Sequence, residues 1–163
     1  MSLASHSELY KKYAPAVFRY ALSLTGREAD AEDLVSTTFL RLWTSDAPIQ
    51  MATVRAYLMA IARNSFLEGL RKHSREQALD FDVSDSRDLA AEHEARADWT
   101  RLRILLAELP EATRSALVMH TVLEMPYAEI AEALRMPIPA LKVRVHRARL
   151  QLAEKLGRKE TPR

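Results

Sequence analysis

Only three glycines occur in 163 residues, so the chain has little means of making the many tight reversals that a β-sheet demands. The rest of its composition leans the same way, towards Ala, Leu, Glu and Arg, which lose little on entering a helix. Apolar residues recur at helical spacing in stripes bounded by Gly, Pro or capping residues. The expected fold class is therefore all-α. With 48% hydrophobic and 28% charged residues, the chain has the composition of a folded, water-exposed protein. No apolar run approaches the ~20 residues of a membrane span. The first residues lack the basic and apolar regions of a signal peptide, so no membrane insertion and a cytoplasmic location are expected. The absence of cysteine excludes disulfides and thiolate metal sites.

The stripes predict the elements. Leu9, Tyr13, Val17, Tyr20 and Leu24 mark a first helix from about Ser7 to Thr25, with Pro15 inside it as a site for a kink or break and Gly26 placed to close it. Asp30, Glu32 and Asp33 load the start of a second helix, where carboxylates suit the dipole. Its inward face is Ala31, Val35, Phe39, Leu42 and Trp43. Ser45 to Pro48 reads as a loop. A third helix starts after Thr53, an N-cap, and runs to about His73, with Val54, Leu58, Ile61 and Ser65 inward. Periodicity weakens after Glu76 and resumes at Trp99, Leu102, Leu105, Leu106 and Leu109. Further helices follow over Ala112 to Leu123, Tyr127 to Leu134 and about Pro139 to Leu156, punctuated by Pro110, Pro126 and Pro137.

The net charge of +2 conceals a polarised chain. Between Glu76 and Asp98 lie eight acids against two bases, whereas between Lys142 and Lys159 lie seven bases against one acid. Such a split points to different partners for different segments, although each run also reads as a solvated surface. The basic run falls on the last helix, which follows a short helix and a turn in a helix-turn-helix pattern. Leu141, Val145, Ala148, Leu152 and Leu156 form its inward stripe. Ala140, Val143, His146 and Arg147 occupy the opposite face, flanked by Lys142, Arg144 and Arg149. That arrangement suits a major groove, with flanking cations on phosphates, Arg147 reading guanine and Val143 touching a thymine methyl. The plainer reading is a basic surface helix that serves solubility.

Two separated segments share one resemblance. Tyr13-Ala14-Pro15, Ala21 to Gly26, Asp30 to Val35, Phe39 to Trp43, Tyr57-Leu58, Ile61 to Asn64 and Arg71-Lys72 resemble region 2 of extracytoplasmic-function (ECF) sigma factors. Leu109-Pro110-Glu111, Arg114, Tyr127 to Leu134 and Lys142 to Arg149 resemble that family's region 4. Order, spacing and length agree over nearly the whole chain. The resemblance implies two small helical domains, a three-helix region 2 over residues 1–75 and a four-helix region 4 over 93–163, joined by a flexible acidic linker over 76–92. It implies that region 2 docks on the clamp helices of the largest subunit of bacterial RNA polymerase and captures the −10 element. Region 4 would bind the −35 duplex and the β flap, and an anti-sigma factor would mask these surfaces. No cofactor is implied. An acidic linker suits a channel built for a polyanion.

Helical wheels distribute the implied roles. Asp33, Thr37, Leu40, Arg41 and Thr44 share the outer face of the second helix and are assigned to the clamp. Tyr57, Asn64, Arg71 and Arg75 share one side of the third helix and are assigned to the −10 strand, Asn64 bonding an extruded base and the arginines holding the backbone. A buried, backbone-satisfied amide is the alternative for Asn64. Lys142, Val143, Arg144, His146, Arg147 and Arg149 are assigned to the −35 duplex. The chain departs from the family where Ser36-Thr37 replaces Gln-Glu, where Tyr57 replaces tryptophan, and where Pro48, Ile49 and Met51 replace a loop aromatic. It also departs at Leu134-Arg135-Met136, where loss of a glycine asks Arg135 to adopt a positive φ. Pro139 is tolerable in a first helical turn.

Three rivals account for less. A sigma-like decoy for an anti-sigma factor leaves the basic helix without a purpose. A plain repressor leaves the first 75 residues unexplained and lacks a heptad seam. For an enzyme, the five histidines are scattered, no metal-ligand spacing or glycine-rich phosphate loop occurs, and no catalytic constellation is present.

Overall fold

The computed structural model describes residues 3–46, 53–77 and 94–157. Its elements are α1 (Leu3–Thr25), α2 (Glu28–Thr44), α3 (Val54–Gln77), α4 (Glu94–Glu108), α5 (Glu111–Thr121), α6 (Tyr127–Leu134) and α7 (Ile138–Lys155). Among the described residues there is no strand. Residues 78–92 of the acidic segment, the loop residues Pro48, Ile49 and Met51, and the side chain of Trp99 lie outside them.

Local chemistry sets the ends of these helices. α1 runs through Pro15 without a break, so of the kink or break considered at this proline the break does not occur. Gly26 takes φ +72°, and its N–H donates to the Leu22 carbonyl at 2.8 Å, closing the helix. The Thr53 hydroxyl accepts the Ala56 N–H at 3.1 Å, an N-cap for α3. That helix continues four residues past its expected end near His73. α6 ends at Arg135, which adopts a left-handed conformation with φ 52°, the strain expected where family members place glycine. Pro139 sits in the first turn of α7, where no helical N–H bond is lost.

The first three helices pack together, α1 on α2 and α3, and the last three do the same, α5 on α6 and α7. Val17, Tyr20, Phe39 and Leu58 fill the first bundle; Met119, Met125, Ile130, Leu141 and Val145 fill the second. The expected inward residue Trp43 is instead 38% exposed, lying over Phe39 at 5.7 Å between ring centroids and beside Tyr10 and His6. It ends the stripe near the last turn of α2, where the bundle no longer covers it.

The two bundles also pack on one another. α1 lies against α5 and α4, and α3 lies against α6, so the buried residues form one continuous cluster. Helical spacing had assigned one inward face to α3. A second face, carrying Ala56 and Met59, is buried as well. Two apolar faces on one helix mark an element packed from two sides.

Candidate nucleic-acid interface

α6, the turn at Arg135 to Pro137 and α7 build the helix-turn-helix. Leu141, Val145 and Ala148 are almost wholly buried, which fixes the rotation of α7 about its axis. Lys142, Val143, Arg144, His146, Arg147 and Arg149 are consequently all exposed, and Val143 keeps 47% of its surface accessible. Val143 thus presents a small apolar surface among cations, the kind of group that contacts a thymine methyl in protein–DNA interfaces. Arg144 donates to the Thr113 hydroxyl at 3.2 Å. The Lys142 ammonium lies 5.7 Å from the Tyr127 ring centroid, and His120 stacks on Tyr127 at 4.3 Å. A groove of about 630 Å³ separates Pro110 and Thr113 from Ala140, Val143 and Arg147.

On α3, Asn64, Arg71 and Arg75 are exposed and Tyr57 is half-buried against the core. The alternative of a buried Asn64 amide is therefore removed. On α2, Asp33, Leu40, Arg41 and Thr44 are exposed and Thr37 is half-buried; Leu40 exposes 59% of its surface. Arg41 donates to Glu68 at 2.7 Å, which holds that carboxyl below its usual range. Both partners are about half exposed, so the pair costs little to exchange for another anion. The Thr44 hydroxyl donates to the Leu40 carbonyl.

Sequence reasoning missed a second set of polar residues, those joining the bundles. Arg63 on α3 grips Glu111 on α5 with two hydrogen bonds, of 2.7 and 2.9 Å. The Ser115 hydroxyl donates to the same carboxylate at 2.9 Å and bonds Tyr20 at 2.8 Å. An ionised carboxylate only accepts, so Ser115 spends its proton on Glu111 and the Tyr20 phenol donates to Ser115. Burial pushes the Tyr20 phenol above its ordinary range. Burial also opposes ionisation of Glu111, but the hydrogen bonds from Arg63 and Ser115 and the charges of Arg63 and Arg114 prevail, and its carboxyl lies below the usual value. Arg63 is raised, chiefly by the same hydrogen bond.

Arg114 completes the set. It donates to the Ser23 and Leu24 carbonyls at 3.4 and 3.2 Å, satisfying groups that the end of α1 leaves open. Arg55 pairs with Glu129 at 3.0 Å. The one visible signal was the second apolar face of α3, flanked by Arg55 and Arg63.

No cluster of three or more potential metal ligands occurs among the described residues, and no helix among them is long and apolar enough to cross a membrane.

Comparison with known proteins bears on the whole arrangement. Residues 9–76 match the family Sigma-70 region 2, and residues 100–152 match Sigma-70, region 4. The ECF RNA polymerase sigma factor SigE of Mycolicibacterium smegmatis is 32% identical over 96% of this chain, which spans 63% of that protein's length. SigL of Mycobacterium tuberculosis, another ECF RNA polymerase sigma factor, is 33% identical over 86% of this chain and 82% of its own. Among solved structures, the sigma factor RpoE from Bartonella quintana, in complex with the anti-sigma factor NepR, superposes with a TM-score of 0.83 at 27% identity, covering 97% of this chain and all of that one.

Proposed function

The chain belongs to the extracytoplasmic-function sigma factors of the sigma-70 family, and from that premise we propose how its two bundles direct RNA polymerase to particular promoters. Proteins of this family regulate transcription rather than catalyse a reaction, and the polymerase supplies the chemistry. The first bundle, within residues 1–75, docks on the clamp helices through Asp33, Thr37, Leu40, Arg41 and Thr44. It takes the −10 strand on Tyr57, Asn64, Arg71 and Arg75. The second, within 93–163, sets α7 in the −35 major groove and rests on the β flap, and residues 76–92 connect the two. Work at this site places the chain in the cytoplasm. The likeness to a sigma factor solved with NepR supports an anti-sigma partner for this chain also.

The observation that carries this reading is the exposure of one basic, valine-bearing face on a helix whose opposite face is locked in the core. Cations there neutralise phosphates, while Arg147 has the paired donors that guanine accepts. Run-off transcription with core polymerase on a promoter library tests it, and a specific transcript is expected. Arg147→Ala should weaken −35 duplex binding, by about 1–3 kcal/mol. Asn64→Ala should spare duplex binding and impair strand opening. Equal activity of both variants and the parent would remove these assignments.

A further inference from the structure

We propose that the cavity where the end of α1 meets α4 and α5 is a binding site for a phosphate group, held between the guanidinium groups of Arg103 and Arg114. It lies apart from the surfaces assigned above to DNA and polymerase, and goes beyond the promoter-directing reading.

Leu22 to Gly26 at the end of α1, Arg103, Leu106 and Ala107 on α4, and Arg114 on α5 line about 70 Å³, room for a small ion rather than a segment of chain. Two arginines and no acid occur among these residues. Both arginines are half-buried, and their Nε–H groups are buried with no hydrogen-bond partner among the described residues. Burial also pulls the Arg114 guanidinium below its ordinary range, as it does for a charge that its surroundings do not fully offset. A buried donor without an acceptor is costly, and a buried cation without a counter-charge more so. A tetrahedral oxyanion removes both costs at once, because its oxygens accept in pairs from a planar guanidinium fork.

The plainer reading is that these arginines serve the end of α1, where carbonyls are left open and cations are favoured. Arg114 alone meets that need. Its Nη1 donates to the Ser23 and Leu24 carbonyls and its Nη2 to that of Leu109, while the Gly26 N–H closes on Leu22. Arg103 is left over. Its Nη2 lies against Gly26, 3.5 Å from the position a Cβ would take there. The acids on either side are committed elsewhere: Glu111 to Arg63 and Ser115, and Glu108 to Lys155. Arg103 therefore brings a second positive charge to the junction, and among the described residues no acid meets it. An anion from solution is the group that fits both cations.

The full chain is titrated with inorganic phosphate by calorimetry, and melted in phosphate and in chloride at equal ionic strength. The parent should bind phosphate at one site and melt higher in phosphate, since a ligand of the folded state alone stabilises it. Arg103→Gln should bind at least about tenfold more weakly and lose the phosphate-specific rise. Arg19→Gln, which removes an exposed cation of α1 outside the cavity, should keep both. Adenosine monophosphate is titrated in parallel to separate the sources of the group. Tighter binding of the nucleotide through Arg103 identifies a phosphate ester as the ligand, and tighter binding of inorganic phosphate the free ion. No phosphate-specific rise in the parent overturns the site, as does an equal rise in the parent and Arg103→Gln. Should Arg103→Gln lose helicity by circular dichroism, Arg103→Met, which keeps the apolar stem over α1, carries the same two measurements. Neither measurement involves polymerase or promoter DNA, so a failure here leaves the promoter-directing reading standing.

Discussion

At Glu111 two opposing effects meet, and the result is a measurable pH dependence. Burial favours the neutral acid, whereas Arg63, Ser115 and Arg114 favour the carboxylate and prevail. The folded value therefore lies below the unfolded one of about 4.3. Its stabilisation is complete above that pH and is lost as pH falls through the depressed folded value. Thermal melts of the parent and Glu111→Gln should differ by a constant amount above about pH 5, and converge in more acid solution. A gap independent of pH would show that Glu111 is not held ionised. The direction of the hydrogen bonds makes a second forecast. Tyr20→Phe removes a donor and leaves Ser115 bonded to Glu111, a loss of about 1 kcal/mol. Ser115→Ala strands the buried phenol and should cost more, up to about 3 kcal/mol, by denaturant unfolding.

Among the elements, the helix-turn-helix carries one strained position and the exposed cations proposed for phosphates. Arg135 holds φ 52° at the end of α6, where an L side chain meets its own carbonyl. Arg135→Gly should stabilise the chain by about 1 kcal/mol, read from denaturant midpoints, because the relief of strain exceeds the added freedom of the unfolded chain. A loss of stability would mean that the arginine side chain, exposed as it is, contributes more than its backbone costs. On α7, exposed Lys142 is proposed to meet a phosphate rather than a base. Lys142→Ala should weaken −35 and unrelated duplexes alike, and lower the slope of log affinity against log salt by about one. A change confined to one DNA sequence would reassign Lys142 to base reading.

For the molecule as a whole, the decisive property is that the buried residues of both bundles are continuous. Each bundle alone is small, and small cores are marginal. Shared burial should make them unfold together, so calorimetry of the intact chain should give a single transition with equal calorimetric and van't Hoff enthalpies. Met59, fully buried on the second face of α3, is a sensitive position in that core. Met59→Ala should cost about 2–5 kcal/mol. Two resolved transitions in the parent would mean that the packing between bundles is too weak to couple them.

Helical periodicity and end signals carried most of the local structure. The bounds of α6, the cap at Thr53 and the closure at Gly26 follow from interactions within a few residues, which any stretch of sequence contains in full; the positive φ at Arg135 came from the resemblance, where the family places glycine. The outer faces of α2, α3 and α7 were legible for the same reason, since a wheel that shows which residues are inward also shows which are outward. α1 continues through Pro15 where α2 and α3 pack against it, and Trp43 was misjudged because a stripe does not reveal where its bundle ends. Tertiary structure alone decided that the two bundles share a core, and it alone brought Tyr20, Ser115, Glu111 and Arg63 together. Tyr20 and Ser115 are separated by 95 positions. Nothing local distinguishes a serine bound for such a contact from one facing water. Periodicity reports that a face is buried; what buries it depends on how distant segments meet.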